Sequence, residues 1–457
     1  MNNPLSIWND HETIIIGKGP AALGPFVAAA RDGLLKDFLD QQGVVIAGQN
    51  PGSGNLGKYR LNSNSPANDF LEPLDGIAKN GLGSGIRNAL DTPEGKTLQR
   101  FGERNAPLPI VAAFIDRVGE AVKSLLKRKI PYCNVLPAYG NLVGIRENSC
   151  FVDFHQDQLY SGNIVLAGGA RESETPDFEK ISRECRKYPN ISHRVLSASE
   201  AFCQKGIERL RVWIEGNPDL QVTILGGSHS AFSAAWSLLN NVVQKKSGAA
   251  FAPGSIRICH RAPVKIFYDS TVEADSFKYS YTPGDVCPQT GRVNRFGGLR
   301  GDAKKLYLQI MSNEEDRVAL KHIQNPDFLI GAGESLSQSQ VAILALGFGV
   351  GKRTIRNLDA KTEEWIPLQN DRQGQLEVDE SCRILRADDT PLQRVFGLGL
   401  GHGIKASHLG LGEPNFDGKV DGVNVYWGAA GSMVVRQILK NRSASSRTLQ
   451  SFSPQES

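Results

Sequence analysis

The feature that most constrains the fold is a pattern that occurs twice: a short β-branched run, a glycine turn and a helix rich in small residues. Residues 13–16 lead into the first turn, which begins at Gly17, and residues 221–225 lead into the second, which begins at Gly226. A strand that passes through a glycine turn into a helix opens a Rossmann-like βαβ unit. We therefore expect an α/β protein with two such units.

Both glycine turns predict dinucleotide binding. A diphosphate is neutralised by the unpaired backbone N–H groups of a helix N-terminus, provided that no side chain blocks its approach. Gly17 permits the sharp exit from the strand, Gly19 the close approach of the phosphate and Ala22 the packing of helix on strand. The expected contacts are Gly17, Gly19, Pro20, Ala22 and Leu23 for the first dinucleotide, and Gly226, Gly227, Ser228, His229 and Ser230 for the second.

The next strand of each unit bears on recognition of the ribose. The strand at residues 43–47 ends in Gly48 and Gln49 instead of an acid that would bind ribose hydroxyls, so Gln49 is either a neutral substitute or an ordinary loop residue. The strand at residues 255–259 is followed by Arg261, whose guanidinium suits a 2′-phosphate and favours NADP over NAD. The alternative for Arg261 is a common surface arginine.

The rest of the chain fits one dinucleotide-binding domain interrupted by another. Residues 108–126 show helical periodicity, and residues 134–166 alternate in short stretches that predict an antiparallel β-meander. From the positions of the motifs we expect a first domain built from residues 1–215 plus 331–440, with a second domain inserted at 216–330. The Ser-rich polar residues 441–457 are expected to be a disordered tail.

Composition excludes several classes of partner. A net charge of +4, scattered over 457 residues, predicts neither a nucleic-acid nor a membrane footprint. No stretch of about 18 apolar residues and no leader-like N-terminus occurs, which predicts a cytoplasmic protein. The seven cysteines include no CxxC pair and none at zinc-site spacing to histidine, so no metal is expected.

Taken together, the two turns, the meander and the strand endings VLAGG (165–169) and ILALGFG (343–349) resemble the flavin-dependent monooxygenases that use FAD and NADPH. The resemblance covers most of the chain. Within that group the N-hydroxylating enzymes match best, through Arg261 after the second strand, Phe267, the pair Asp269–Ser270 and residues 401–404. It implies FAD at the first turn and NADPH at the second. It also implies a C4a-hydroperoxyflavin that transfers one oxygen atom of O2 to a nucleophilic nitrogen or similar centre.

One difference from that group restricts the range of substrates that we expect. Residues 276–283 lack the Asn–Glu pair typical of amino-acid N-hydroxylases, which argues against lysine or ornithine. The expected substrate is a small amine or another heteroatom-bearing metabolite.

Two alternative functions stay open: an FAD/NAD(P)H reductase or dehydrogenase that passes electrons to a partner, and a flavin-binding protein without turnover. An oligomer is compatible with the sequence.

Polar residues in two places are candidates for the flavin site. Lys58, Asn62 and Asn64 follow the second strand of the first unit on a loop that could cross the isoalloxazine, although loop asparagines also cap helices and close turns. His402 lies in a glycine-rich stretch before the last helix and could face the flavin pyrimidine or the substrate. We assign these four residues as the catalytic candidates.

Overall fold

The computed structural model describes residues 11–39, 43–48, 50–129, 142–146, 149–154, 157–215, 217, 219–243, 251–357 and 364–450. Its strands are β1 (His11–Ile16), β2 (Val44–Ala47), β3 (Asn62–Pro66), β4 (Asn105–Pro107), β5 (Leu142–Arg146), β6 (Ser149–Phe154), β7 (Asp157–Leu166), β8 (Val195–Ser197), β9 (Val222–Leu225), β10 (Ile256–His260), β11 (Val318–His322), β12 (Val341–Leu344), β13 (Thr354–Asn357), β14 (Glu364–Pro367), β15 (Arg383–Leu385) and β16 (Pro391–Gly397).

The α-helices are α1 (Pro20–Arg31), α2 (Leu35–Leu39), α3 (Asn68–Asp75), α4 (Ser84–Arg87), α5 (Pro93–Gln99), α6 (Leu108–Lys129), α7 (Phe178–Cys185), α8 (Ala198–Phe202), α9 (Gln204–Glu215), α10 (His229–Ser237), α11 (Thr271–Ser276), α12 (Gly301–Met311), α13 (Phe328–Gln338), α14 (Val423–Trp427) and α15 (Ala429–Gln450). Helix α6 covers the predicted helical stretch. Short 3₁₀ turns punctuate the loops, and a π-helical turn over Leu238–Val242 extends α10.

The first sheet combines parallel strands with a meander. Strand β1 lies between β2 and β7 in parallel, and β16 pairs with the other edge of β7. The ten-residue strand β7 serves both parts, because its first half also pairs antiparallel with β6, which pairs with β5. The predicted meander is therefore present at β5–β7; the part predicted at residues 134–140 lies outside the described residues.

The second sheet is wholly parallel, in the order β11-β10-β9-β12-β8. Strands β9 and β12 are buried at every position, as expected for apolar strands covered by helices on both faces. The α/β fold class with two dinucleotide-binding units is confirmed. The sheet extends beyond the predicted bounds 216–330, because β8 and β12 align beside β9.

The C-terminal segment also differs from its prediction. Helix α15 continues to Gln450, through the first ten residues of the predicted disordered tail. Two side chains anchor this part: Asn441 donates to the carbonyl oxygen of Gln393 at 3.0 Å, and Arg442 donates to that of Asp37 at 2.9 Å. These hydrogen bonds help to offset the conformational entropy that the chain loses when residues 441 and 442 become helical.

The described part of the chain contains no helix long and apolar enough to cross a membrane. Within the same residues, no group of three or more His, Cys, Asp and Glu side chains could hold a metal ion.

Candidate functional site

The first glycine turn is shaped by close backbone packing. Gly17 has a φ of +149°, and a Cβ at this position would overlap the carbonyl oxygen of Ala167 at the end of β7. Only glycine fits both the dihedral angle and the space. Gly17 therefore lets the chain leave β1 directly against its neighbouring strand.

Gly19 is the N-cap residue of helix α1, and this end of the helix is open. No side chain within the described residues caps this end, and a Cβ at Gly19 would meet nothing within 4 Å. Ala22 and Leu23, by contrast, are fully buried. These two predicted contacts hold the helix against the sheet, and the open space lies at Gly19, beside Pro20.

Two further segments close around the start of α1. The loop after β2 passes over the turn: the backbone N–H of Gly52 donates to the carbonyl oxygen of Lys18 at 2.9 Å, and a Cβ at Gly54 would lie 3.2 Å from the Cα of Gly19. The loop after β16 brings Gly399, with a φ of +97°, against Ala21. The first turn is thus a cradle made almost entirely of backbone. Gln49 lies outside the described residues.

The second turn repeats the first. Gly226 has a φ of +141°, and a Cβ there would overlap the carbonyl oxygen of Ala345 after β12. A Cβ at Gly227 would collide with the side chain of His260 at the end of β10. Ser228 is the N-cap residue of α10, and its side chain makes no capping hydrogen bond within the described residues. Within the described residues, two helix N-termini without side-chain caps therefore follow parallel strands, β1 in the first sheet and β9 in the second.

His229 is engaged by the protein itself. Its Nε2 accepts the backbone N–H of Arg300 at 3.0 Å. Burial, and then the charge of Arg300, lower the pKa of His229 to about 4. The imidazole is therefore neutral and acts as an acceptor that joins α10 to the start of α12. Ser230 is half-buried on the first turn of α10.

Arg261 lies exposed after β10, where the sequence analysis placed ribose recognition. Its guanidinium carbon lies 5.4 Å from the ring centroid of Phe328, and no described carboxylate forms an ion pair with it. The carbonyl oxygen of Arg261 lies 2.7 Å from Nε2 of His322, whose ring stacks on that of His260. This geometry fixes the backbone and leaves the guanidinium available to a ligand.

The prediction of one loop for Lys58, Asn62 and Asn64 is wrong, because Lys58 ends a 3₁₀ turn while Asn62 and Asn64 lie on strand β3, which pairs with β4. Lys58 is exposed, and its Nζ donates to Oδ1 of Asn55 at 2.9 Å. Asn64 is also exposed. Asn62 donates from Nδ2 to Oδ2 of Asp302 at 2.8 Å, so it joins β3 to α12. This contact positions the two domains relative to each other.

His402 is buried on the loop after β16, the same loop that brings Gly399 against α1. Burial lowers the pKa of His402 to about 4, so the ring is neutral at ordinary pH. Its Nδ1 lies 3.3 Å from the carbonyl oxygen of Leu400. Of the four catalytic candidates, His402 and Lys58 follow segments that the structure brings to the first glycine turn, and only His402 is buried.

The sequence analysis missed a cluster of three arginines. Arg292 and Arg300 stack on Phe267, and the carbonyl oxygen of Arg295 accepts a hydrogen bond from Arg300, whose backbone N–H contacts His229. A signal was present, since three arginines occur within nine residues. The surrounding residues 282–301 are rich in glycine and proline, a composition that is typical of a loop and does not by itself indicate a binding site.

Comparison with known proteins supports one family. No protein-family model matches the chain. The chain is 30% identical over 450 residues to CMP-5'-(3-aminopropyl)phosphonate hydroxylase of Streptomyces rubellomurinus, which covers 94% of this chain and 98% of that protein.

Two solved structures share the fold. L-lysine 6-monooxygenase from Pseudomonas syringae has a TM-score of 0.53 at 14% identity, covering 94% of this chain and 99% of that one. Ornithine hydroxylase from Pseudomonas aeruginosa has a TM-score of 0.53 at 11% identity, covering 95% and 100%. The resemblance expected from the sequence is thereby confirmed. The chain belongs to the flavin-dependent monooxygenases of the two-dinucleotide-binding type.

Proposed function

We propose that this monooxygenase N-hydroxylates the primary amine of a small metabolite that carries a phosphate or phosphonate group. The observation that carries the proposal is the pair of uncapped helix N-termini at Gly19 and Ser228, each beside a glycine packed on a strand end. Two such sites in one chain suit an enzyme that passes electrons from one dinucleotide to another.

FAD fits the first turn. The open space at Gly19 would admit a diphosphate at the N-terminus of α1, with the backbone of Gly52 and Gly54 beside it. Bound FAD, once reduced, would supply the activated oxygen for the substrate amine. The protein then has to orient the amine and exclude water. Our assignments for residues near the flavin are Lys58, Asn64 and His402, with Asn62 as a positioning residue.

NADPH fits the second turn. Its diphosphate would lie at the start of α10, and the exposed guanidinium of Arg261 would take the 2′-phosphate. At the first turn, where the amine would react, the neutral His402 adds no positive charge of its own. This is favourable, since only the unprotonated amine has the lone pair that attacks oxygen.

Support for the substrate class comes from the relative that matches almost the whole chain. Its name specifies a 3-aminopropyl phosphonate linked to CMP, which carries a primary amine at one end and anionic groups at the other. The absence of the Asn–Glu pair from residues 276–283 also argues against an amino acid as the substrate.

The test is to incubate the purified enzyme with FAD, NADPH, air and CMP-5'-(3-aminopropyl)phosphonate, with ornithine and lysine in parallel reactions. We expect a hydroxylamine product from the phosphonate, detected by mass spectrometry, and none from the amino acids. NADPH consumption that yields hydrogen peroxide but no oxygenated product from any of the three would contradict the proposal and favour a reductase.

A further inference from the structure

The loop that leads into α12 carries three arginines, two of which stack on Phe267, while Arg295 lies 5.0 Å from the ring centroid of Phe296. The guanidinium carbon of Arg300 lies 4.1 Å from the ring centroid of Phe267, and that of Arg292 lies 6.0 Å from it. Arg300 also donates from Nη2 to the carbonyl oxygen of Arg295. Stacking on an aromatic face fixes the plane of a guanidinium and leaves its N–H edge for a partner.

The loop itself is held in place from both domains. Asn294 donates from Nδ2 to the carbonyl oxygen of Ile266 and to the hydroxyl of Tyr279, both at 3.0 Å. The buried carboxylate of Glu413 accepts the backbone N–H groups of Phe296 and Gly297 at 3.2 and 2.9 Å. The arginines are therefore presented on a fixed backbone, which lowers the entropic cost of binding a ligand.

The positive charge of this cluster is only partly balanced. Arg292 pairs with Asp269 at 3.5 Å, but Arg295 and Arg300 form no ion pair with any described carboxylate. Burial lowers the pKa of Arg300; Asp69 opposes this, and Arg292 and Arg295 add to it. Partly buried cations that repel one another are costly unless an anion joins them.

The cluster lies where substrate and coenzyme would meet. The backbone of Arg300 is bonded to His229 of the second glycine turn, and the next residue but one, Asp302, is bonded to Asn62 of the first domain. Arg300 also faces Asp69 on α3. An anion held here would thus be bound between the two dinucleotide-binding domains.

We propose that Arg292, Arg295 and Arg300 form the subsite that binds the phosphate or phosphonate group of the amine substrate, an inference that rests on the proposed function. The planar guanidinium fork matches the oxygens of a phosphoryl or phosphonyl group and binds them through charge-assisted hydrogen bonds. The subsite would hold the anionic end of the substrate and direct its amine toward the first domain.

Calorimetric titration of the FAD-loaded protein with CMP-5'-(3-aminopropyl)phosphonate tests this subsite, with NADP⁺ as a second ligand. The variants are Arg295→Gln and Arg300→Gln. Arg209→Gln is the matched control, because Arg209 is exposed on α9 and stacks on Trp213 at 5.6 Å. If Arg300→Gln fails to fold because it loses the stacking on Phe267, the Arg295→Gln variant still tests the subsite.

We expect each variant to bind the phosphonate about tenfold more weakly or worse, with NADP⁺ binding unchanged and the control like the wild type. Equal phosphonate affinity in variants and wild type would overturn the subsite. So would absence of binding to the wild type, or an equal loss for NADP⁺, which would assign the arginines to the coenzyme. Arginine-dependent binding without hydroxylated product would leave the subsite standing and contradict the proposed function alone.

Discussion

The backbone N–H of Arg300 donates a 3.0 Å hydrogen bond to Nε2 of His229. Through this bond the second glycine turn holds the start of α12, the helix that Asn62 contacts from the first domain. The binding site for a coenzyme at α10 and the binding site for an anion at Arg292, Arg295 and Arg300 would therefore be connected by this hydrogen bond.

Replacing His229 by leucine removes the acceptor and leaves the N–H of Arg300 without its partner. We expect the free energy of unfolding to fall by about 1–3 kcal/mol and the KM for NADPH to rise. Denaturant titration and steady-state kinetics measure the two effects. His229→Gln, whose amide oxygen can accept a hydrogen bond, should be milder. A leucine variant as stable as the wild type would contradict the structural role.

Gly19→Asp should abolish retention of FAD while the protein still folds. A Cβ at Gly19 meets no protein atom within 4 Å, so the carboxylate would occupy the approach of the diphosphate and repel it. The ratio of flavin to protein absorbance measures the loss. Gly85→Asp is the control, because its Cβ also meets nothing within 4 Å, on α4. A yellow Gly19→Asp protein would refute the assignment.

Arg261→Ala should raise the KM for NADPH by about tenfold or more and leave that for NADH nearly unchanged. The guanidinium is exposed and makes no ion pair with described residues, so its loss removes a contact to the 2′-phosphate and little else. Steady-state kinetics with both coenzymes gives the answer. An equal change in KM for NADPH and for NADH would show that residues other than Arg261 select NADP.

Burial of His402 predicts a pH dependence of stability. Its pKa is about 4 in the folded protein, against about 6.5 when unfolded. Between these values the unfolded chain binds a proton that the folded chain does not, so stability falls as pH drops from about 6.5 toward 4. The full contribution is about 3 kcal/mol.

Unfolding by denaturant at pH 7, 6 and 5 measures this effect. His402→Gln removes the titrating group, so its stability should depend less steeply on pH than that of the wild type. Parallel pH profiles for the two proteins would show that His402 does not titrate in this way.

The sequence predicted the parts of the fold that local chemistry determines. Gly17 and Gly226 were recognisable because a sharp turn from strand to helix needs glycine, and the structure adds that each packs on the carbonyl of a neighbouring strand end, at Ala167 and Ala345. The inclusion of β8 in the second sheet could not be predicted, since parallel pairing joins segments far apart in sequence.

The site was less predictable than the fold. Asn62 was assigned to the flavin loop from its polarity, but only the structure shows its bond to Asp302, 240 residues away. The arginine cluster required knowing that Phe267 folds back between Arg292 and Arg300. Such contacts depend on tertiary packing, which a single sequence does not specify.

The central claim is oxygen transfer to an amine, and labelling with ¹⁸O2 tests it most directly. The purified enzyme, with FAD and NADPH, is given CMP-5'-(3-aminopropyl)phosphonate under ¹⁸O2, and the product is analysed by mass spectrometry. We predict one ¹⁸O atom on the nitrogen of the hydroxylamine. Unlabelled product, or NADPH oxidation that leaves the amine unchanged, would contradict it.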